Sequence, residues 1–328
     1  MKKANSIGST LLWLLLLSLF LAGCSTVKAT GERHLTLMGE SQEIARGKQV
    51  NEQIQRAMKL YPDKELQSYV DQLGKEIAAT TERPDLPWEF HILDDEAVNA
   101  FALPGGFIYV TRGIMAYFEN ETQLVGVLGH EIAHVTGKHT VIRMSKSVLA
   151  QVGFGMAQII APELKGLAPA ARAGLQLLFL KFSREDETEA DILGVRYMRN
   201  VNEDPRELID VMEMLARVSQ DEEKGSIPQW ASTHPLPENR RETITSHLRT
   251  VSRRQYEPVA RNSYLRRLDG MTYGKDPRDG IVRDNLFYHP DLRFKYAFPP
   301  TWKVVNQKQA VIGISPNKNA VIQMTLAK

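Results

Sequence analysis

The sequence predicts an α+β fold, mostly α, with a small antiparallel or mixed sheet and a small C-terminal β module. Three observations carry this. Apolar residues recur at helical spacing over most of residues 41–251, two short β-like runs flank a Pro-Gly-Gly turn signal near residue 105, and side chains alternate with period two after residue 290. A length of 328 residues suits about two domains. With 43% hydrophobic and 24% charged residues, neither wholesale disorder nor a polytopic membrane protein fits. A net charge of +2 leaves no electrostatic footprint for nucleic acid. The single cysteine, Cys24, excludes an intrachain disulfide and a cysteine-ligated zinc ribbon, so any metal must be held by His, Asp or Glu.

Lys2 and Lys3 precede an apolar run from Leu11 to Ala22 that ends in Leu21-Ala22-Gly23-Cys24. The run is shorter than the ~20 residues that span a bilayer, so residues 1–23 read as a cleaved signal. Leu-Ala-Gly-Cys resembles the bacterial lipobox, which implies lipidation of Cys24, a lipid anchor to the membrane, and a chain facing the periplasm of the cell envelope. Ser25 after the cysteine implies the outer membrane. Residues 24–40, polar and Gly-containing, read as a tether.

From Ser41, Ile44, Val50, Ile54 and Met58, then Leu66, Val70, Leu73 and Ile77, predict two amphipathic helices broken at Tyr61-Pro62. Phe90 to Leu93 and Phe107 to Val110 predict strands, separated by Leu103-Pro104-Gly105-Gly106. Asn120 offers an N-cap for a helix whose apolar face includes Leu124, Leu128 and Val135. Residues 147–182 read as two packed helices. A charged helix spans about Arg184 to Arg199, and Asp204-Pro205 opens another through Val218. Gln220 to Leu236 reads as a loop and Glu238 to Val251 as a helix. These elements bound a domain at 41–268, followed by a Gly-rich linker at 269–280 and the β module at 281–328.

His130-Glu131-Ile132-Ala133-His134 places two imidazoles one helical turn apart, on one face, where both can hold a single metal ion. The pattern arises by chance in on the order of one in a hundred unrelated chains of this length. Here it falls on a helix predicted independently of it. A zinc ion lowers the pKa of bound water to ~7, and Glu131 is placed to receive the proton. A third protein ligand is required. The metzincin solution fails because position 140 is Thr140 and His139 falls one residue short. A carboxylate from a later helix is the other solution, and spacing alone does not choose among Glu185, Asp186, Glu187 and Glu189.

Four blocks together resemble the gluzincin metallopeptidase family of HtpX, BepA, LoiP and the Oma-type peptidases. They are Asn99 to Gly106, His130 to His134, Ser183-Arg184 through Ala190-Asp191, and Ser232 to Pro237 with Arg240. The resemblance implies a zincin-like domain that binds one Zn2+ per chain and hydrolyses peptide bonds. It assigns Glu187 as third ligand, which agrees with Glu187 and Asp191 sharing a helix face, while Glu185 and Glu189 point elsewhere. Asp191 is then the acceptor that holds a ligand imidazole. His234 is either a stabiliser of the tetrahedral oxyanion or a fourth ligand that switches the enzyme off.

Phe107, Ile108, Tyr109 and Val110 are expected as an edge strand to which an extended substrate adds, with Gly105 and Gly106 turning the chain into it. His139 is expected to cap the end of the motif helix. His34, His91, His247 and His289 have no motif context. The functional expectation is a zinc endopeptidase acting on misfolded or misassembled outer-membrane proteins, with the outer-membrane assembly machinery as a partner. Its rival is a non-proteolytic chaperone or assembly factor using the same fold as a binding module.

Overall fold

The computed structural model describes residues 24–160, 181–221, 229–235, 240–252, 254–256, 261–307 and 310–325. The expected signal at 1–23 lies outside them, as does the stretch 161–180 of the expected helix pair. The chain divides into two compact units, Met1–Asp269 and Gly270–Lys328.

The first unit opens with a hairpin, β1 (Cys24–Thr26) against β2 (Arg33–Leu35), Cys24 opposite Leu35. This corrects the expectation of a bare tether. Val27 and Ala29 are buried. The backbone is also tied down, because Leu37 N donates to Ser145 Oγ at 3.0 Å and Arg196 Nη2 donates to Ala29 O at 3.3 Å. A few buried apolar groups and satisfied carbonyls are enough to hold so short a segment.

Helices α1 (Glu40–Ala57) and α2 (Lys64–Ala78) follow, separated near Pro62 as the sequence indicates. Asp63 caps α2 by accepting from Glu65 N and Leu66 N at 2.9 and 3.0 Å. The sheet contains β3 (Glu89–Leu93), β4 (Ala100–Leu103) and β5 (Phe107–Thr111) in the order β3-β5-β4. β5 runs parallel to β3 and antiparallel to β4. Phe107, Ile108 and Tyr109 therefore lie in the central strand, not at an edge: both hydrogen-bonding sides are used, and all five residues of β5 are buried. The strand edge beside the motif helix belongs to β4.

The β4–β5 turn is clamped onto α1. Gly105 has φ +81°, where a side chain is strained, and its N–H donates to Glu43 Oε1 at 3.2 Å. Glu43 is in turn held by Arg83, whose Nη1 is 2.8 Å from Oε1 and whose Nη2 is 2.9 Å from Oε2. α1 approaches so closely that a Cβ on Gly47 would sit 1.8 Å from Pro104 O.

A short α3 (Arg112–Met115) leads to the motif helix α4 (Glu121–Thr136), capped by Asn120, whose side chain accepts from Gln123 N at 2.9 Å. The amphipathic expectation understates this helix. Every residue from Thr122 to Thr136 is buried, because α2, β4, α6 and α7 all pack against it.

After the two-residue break Gly137-Lys138, α5 (His139–Ile160) begins eight residues before the expected 147. α6 (Arg184–Asn200) starts on a capping box in which Ser183 Oγ accepts from Asp186 N at 3.2 Å and Asp186 Oδ2 accepts from Ser183 N at 2.9 Å. α7 (Glu207–Asp221), α8 (Gln229–Thr233), α9 (Arg240–Thr250) and α10 (Arg261–Arg267) complete the unit. α8 corrects the reading of 220–236 as loop throughout.

In the second unit, a 3-10 turn at Pro277–Asp279, capped by the buried Asp276, occupies part of the expected linker. Two antiparallel three-stranded sheets follow. One is β6 (Ile281–Arg283), β7 (Leu286–His289) and β8 (Phe294–Ala297); the other is β9 (Lys303–Gln307), β10 (Ala310–Ile314) and β11 (Val321–Met324). Phe287, Phe298 and Val311 form their core.

The Gly47 contact yields a prediction. Gly47→Ala forces a methyl into the Pro104 carbonyl and should cost on the order of 1–3 kcal/mol, read as a lower urea midpoint. An unchanged midpoint would show that α1 is not pressed onto this turn.

Candidate metal centre

α4 and α6 cross where both carry glycine: a Cβ on Gly194 would lie 3.4 Å from His130 N. That approach brings the acidic face of α6 onto His130 and His134. Glu187 and Asp191, one turn apart, are fully buried, and so are His130, Glu131, His134 and His234. Within hydrogen-bonding reach, His130 Nδ1 is 3.0 Å from Asp191 Oδ1. Its Nε2 faces His134 Nε2 at 3.1 Å, His234 Nδ1 at 3.4 Å and Glu187 Oε2 at 3.5 Å. His234 Nδ1 is also 3.0 Å from Glu187 Oε1, and His134 Nε2 is 3.6 Å from the same oxygen.

One donor atom from each of His130, His134, Glu187 and His234 lies within 4.8 Å of the others, close enough to hold one metal ion. The donor set fits zinc. Three imidazole nitrogens and a carboxylate converge on one point, where a single proton can bridge only one pair, and there is no thiolate. Both oxygens of Glu131 are buried without a hydrogen-bond partner, and Oε1 lies 3.6 Å from His234 Nε2. An unpaired carboxylate beside this cluster is a group awaiting a proton or a cation.

Arg240, at the start of α9, holds the acids in place. Its Nε and Nη2 reach Asp191 Oδ2 and Oδ1 at 2.8 and 2.6 Å, and its Nη1 reaches Glu187 Oε2 at 2.9 Å. Burial works against ionisation of both carboxyls. For Asp191 the guanidinium overcomes it and lowers the pKa; for Glu187, His234 and then Arg240 hold it well below the usual range. Glu131, with only weaker opposing influences from His234 and His130, is raised by burial. His130 is pushed up to about 9, because hydrogen bonds to Asp191 and Glu187 outweigh its burial. His134 is driven well below its ordinary value by burial and then by the neighbouring His130.

His234 reaches the centre because α8 is pinned on both sides. Trp230 N donates to Val98 O at 3.2 Å, just before β4, and Phe182 N donates to Thr233 O at 3.0 Å, just before α6. The Trp230 ring stacks on His234 at 4.8 Å and 15°, with the Arg240 guanidinium 5.2 Å from its centroid. Phe182 stacks on His134 at 3.9 Å and 25°.

Of the residues singled out from the sequence, the structure gathers His130, Glu131, His134, Glu187, Asp191 and His234 into one site. Gly105 and Gly106 lie in the turn packed on α1, and Phe107 to Tyr109 in the central strand. His139 is not a helix cap: it opens α5 and puts Nδ1 2.8 Å from His134 Nδ1. Arg240 was part of the block that carries the family resemblance but had no role assigned to it, while Trp230 and Phe182 had no local signal, since isolated aromatics carry no spacing pattern.

Comparison with known proteins matches residues 64–248 to peptidase family M48. The chain is 30% identical over 209 residues to the beta-barrel assembly-enhancing protease of Yersinia pestis, covering 61% of this chain and 42% of that protein. With its counterpart in Escherichia coli (strain K12) the identity is 27% over 229 residues, covering 67% and 47%. The mitochondrial metalloendopeptidase OMA1 of Schizosaccharomyces pombe is 34% identical over 174 residues, covering 52% and 50%. The chain thus spans about half the length of the curated relatives it matches. The family match takes in more than half of the 328 residues and every member of the buried cluster, so the chain belongs to peptidase family M48, a family of zinc metallopeptidases.

Proposed function

We propose that this chain is an endopeptidase in which His130, His134 and Glu187 hold the zinc ion, and that the structure describes its closed state, with His234 as fourth ligand. The observation that carries this is the convergence of those four donors beside the unpaired carboxylate of Glu131. Zinc, when bound, supplies the Lewis acidity that acidifies water and polarises a peptide carbonyl. Glu131, its pKa raised by burial, takes up the proton of the attacking water and later delivers it to the leaving amine. Asp191 Oδ1, 3.0 Å from His130 Nδ1, favours a hydrogen on that nitrogen and so leaves the Nε2 lone pair for the centre. Arg240 neutralises Asp191 and lies 2.9 Å from Glu187 Oε2, so it would hold in place the carboxylate that would bind the metal.

Of the two roles open to His234, the geometry favours closure. Its Nδ1 sits among the ligand atoms, and the site is wholly buried, so an extended chain has no access until α8 moves. The substrate strand adds to β4, not to β5. Thr111 N donates to Asn99 O, so alternate residues 99, 101 and 103 face β5, while the backbone of Val98, Ala100 and Ala102 faces outward. Trp230 N already uses Val98 O on that side. Releasing α8 therefore frees the strand edge and removes His234 together.

The same reading extends to location and substrate. The lipobox-like Leu21-Ala22-Gly23-Cys24, followed by Ser25, supports a lipid anchor on the outer membrane facing the periplasm. Among the described residues no helix is long and apolar enough to cross a membrane. Relatives named for enhancing β-barrel assembly support misfolded or misassembled outer-membrane proteins as substrates and the assembly machinery as partner. A complete set of catalytic groups, Glu131 included, counts against a chaperone that only binds.

Three outcomes test this reading. Glu131→Gln should keep one zinc per chain by elemental analysis yet lose at least about a hundredfold of the cleavage of unfolded casein; retained cleavage would remove Glu131 from its role. His234→Ala should cleave casein faster than the parent chain, whereas a fall in rate with zinc still bound would assign His234 to the oxyanion instead. Arg240→Met leaves two buried carboxylates uncompensated and should cost roughly 3–5 kcal/mol by chemical denaturation. The folded-state pKa values of both acids are depressed, so the parent's advantage is full above the ordinary carboxylate range and shrinks as pH falls through the depressed values. A pH-independent difference would contradict the ion-pair account.

A further inference from the structure

We propose that His139 and Glu189 form a relay that fixes the tautomer and orientation of His134, doing for the second motif histidine what Asp191 does directly for the first. This rests on His134 being a metal ligand. His139 Nδ1 is 2.8 Å from His134 Nδ1, and His139 Nε2 is 3.1 Å from Glu189 Oε1.

The proton positions follow from the chemistry of the three groups. A carboxylate only accepts, so the hydrogen on His139 lies on Nε2, donated to Glu189. In the neutral ring Nδ1 of His139 then carries a lone pair, and the 2.8 Å contact requires a hydrogen from His134 Nδ1. That leaves the lone pair of His134 on Nε2, the atom facing His130 Nε2 at 3.1 Å and Glu187 Oε1 at 3.6 Å. The opposite tautomer of His134 would put N–H where the metal must bind. Without His139, Glu187 Oε1, which can only accept and lies 3.6 Å from Nε2, would favour that opposite tautomer in the metal-free chain.

The local chain is built for this contact. α4 ends at Thr136, Gly137 and Lys138 reverse the chain, and Lys138 takes φ +56°, so that His139 folds back against His134. A Cβ on Gly137 would come within 2.5 Å of His139 Nε2 and 3.0 Å of Glu189 Oε1, so the space for the relay depends on glycine. His139 is buried, and Phe182 covers both rings, at 3.9 Å from His134 and 6.3 Å from His139. Glu189 lies on α6 between Glu187 and Asp191 in sequence but on another face. One helix thus supplies a ligand and the backing acid of each motif histidine.

His139 and Glu189 are positioning residues, and the test reads position as well as binding. In the full chain labelled with 15N-histidine and stripped of metal, two-bond 1H–15N spectra should show His134 as the Nδ1–H tautomer. A wild-type His134 found as Nε2–H overturns the relay without any variant. Competition against a chromophoric chelator should give a zinc Kd about 10–100-fold weaker for His139→Leu. In His139→Gln, whose amide oxygen can accept from His134 Nδ1–H, most of that loss should be recovered. Equal affinity in His139→Leu and wild type, or equal loss in both variants, overturns the proposal. A wild-type chain that binds no zinc sinks the metal-ligand reading instead, and the metal-free spectra still decide the relay.

Discussion

Two carboxylates on one face of α6 are carried into an interior with no solvent, and much of the first unit is arranged around that cost. Taking Glu187 and Asp191 out of water is unfavourable by several kcal/mol each unless opposite charge and hydrogen bonds are waiting. Arg240 meets both with three of its nitrogens, and His130 meets Asp191 with the fourth contact. That requirement ties α4, α6 and α9 together, helices far apart in sequence. It also accompanies a motif helix that is buried all round: its two histidines face the cluster and its apolar residues face four packing partners, while the Glu131 carboxylate stays unpaired.

The next layer connects the site to the sheet. β5, hydrogen-bonded on both sides, is a scaffold strand, and its turn is locked to α1 through Gly105, Glu43 and Arg83. β4 is the edge strand beside the motif helix, and the segment carrying Trp230 and His234 is bonded to Val98, two residues before it. In the proposed closed state, one short helix would couple access at the metal to access at the β4 backbone. Among the described residues, the contacts that hold this segment include one main-chain hydrogen bond on each side of α8 and ring stacking on His234.

How much of this was legible beforehand can be judged residue by residue. The break between α1 and α2, the Asn120 cap, the motif helix and the start of α6 at Ser183 are local features, set by proline, capping side chains and periodicity, and they sit where the sequence places them. The packed hairpin at 24–35 was missed because its polar composition hides a few buried residues. α8 was missed because five residues give no period to read. Phe107 to Tyr109 were assigned to an edge because a hydrophobic run looks the same in a central strand and in a half-covered one.

Sequence alone placed the two motif histidines on one face of a helix with Glu131 between them, because 3.6 residues per turn settles which side chains share a side; among the acids of α6 spacing did not choose, and the family resemblance pointed to Glu187. It also excluded cysteine ligation outright. Tertiary structure decided which strand has the edge, that Arg240 clamps both acids, and that His139 and Glu189 stand behind His134. Apart from the five-residue step from His134 to His139, those relations join residues 49 to 53 positions apart or depend on the order of strands in a sheet, and no local pattern records them. They follow from the need to balance the charge of Glu187 and Asp191 once the helices have been packed together.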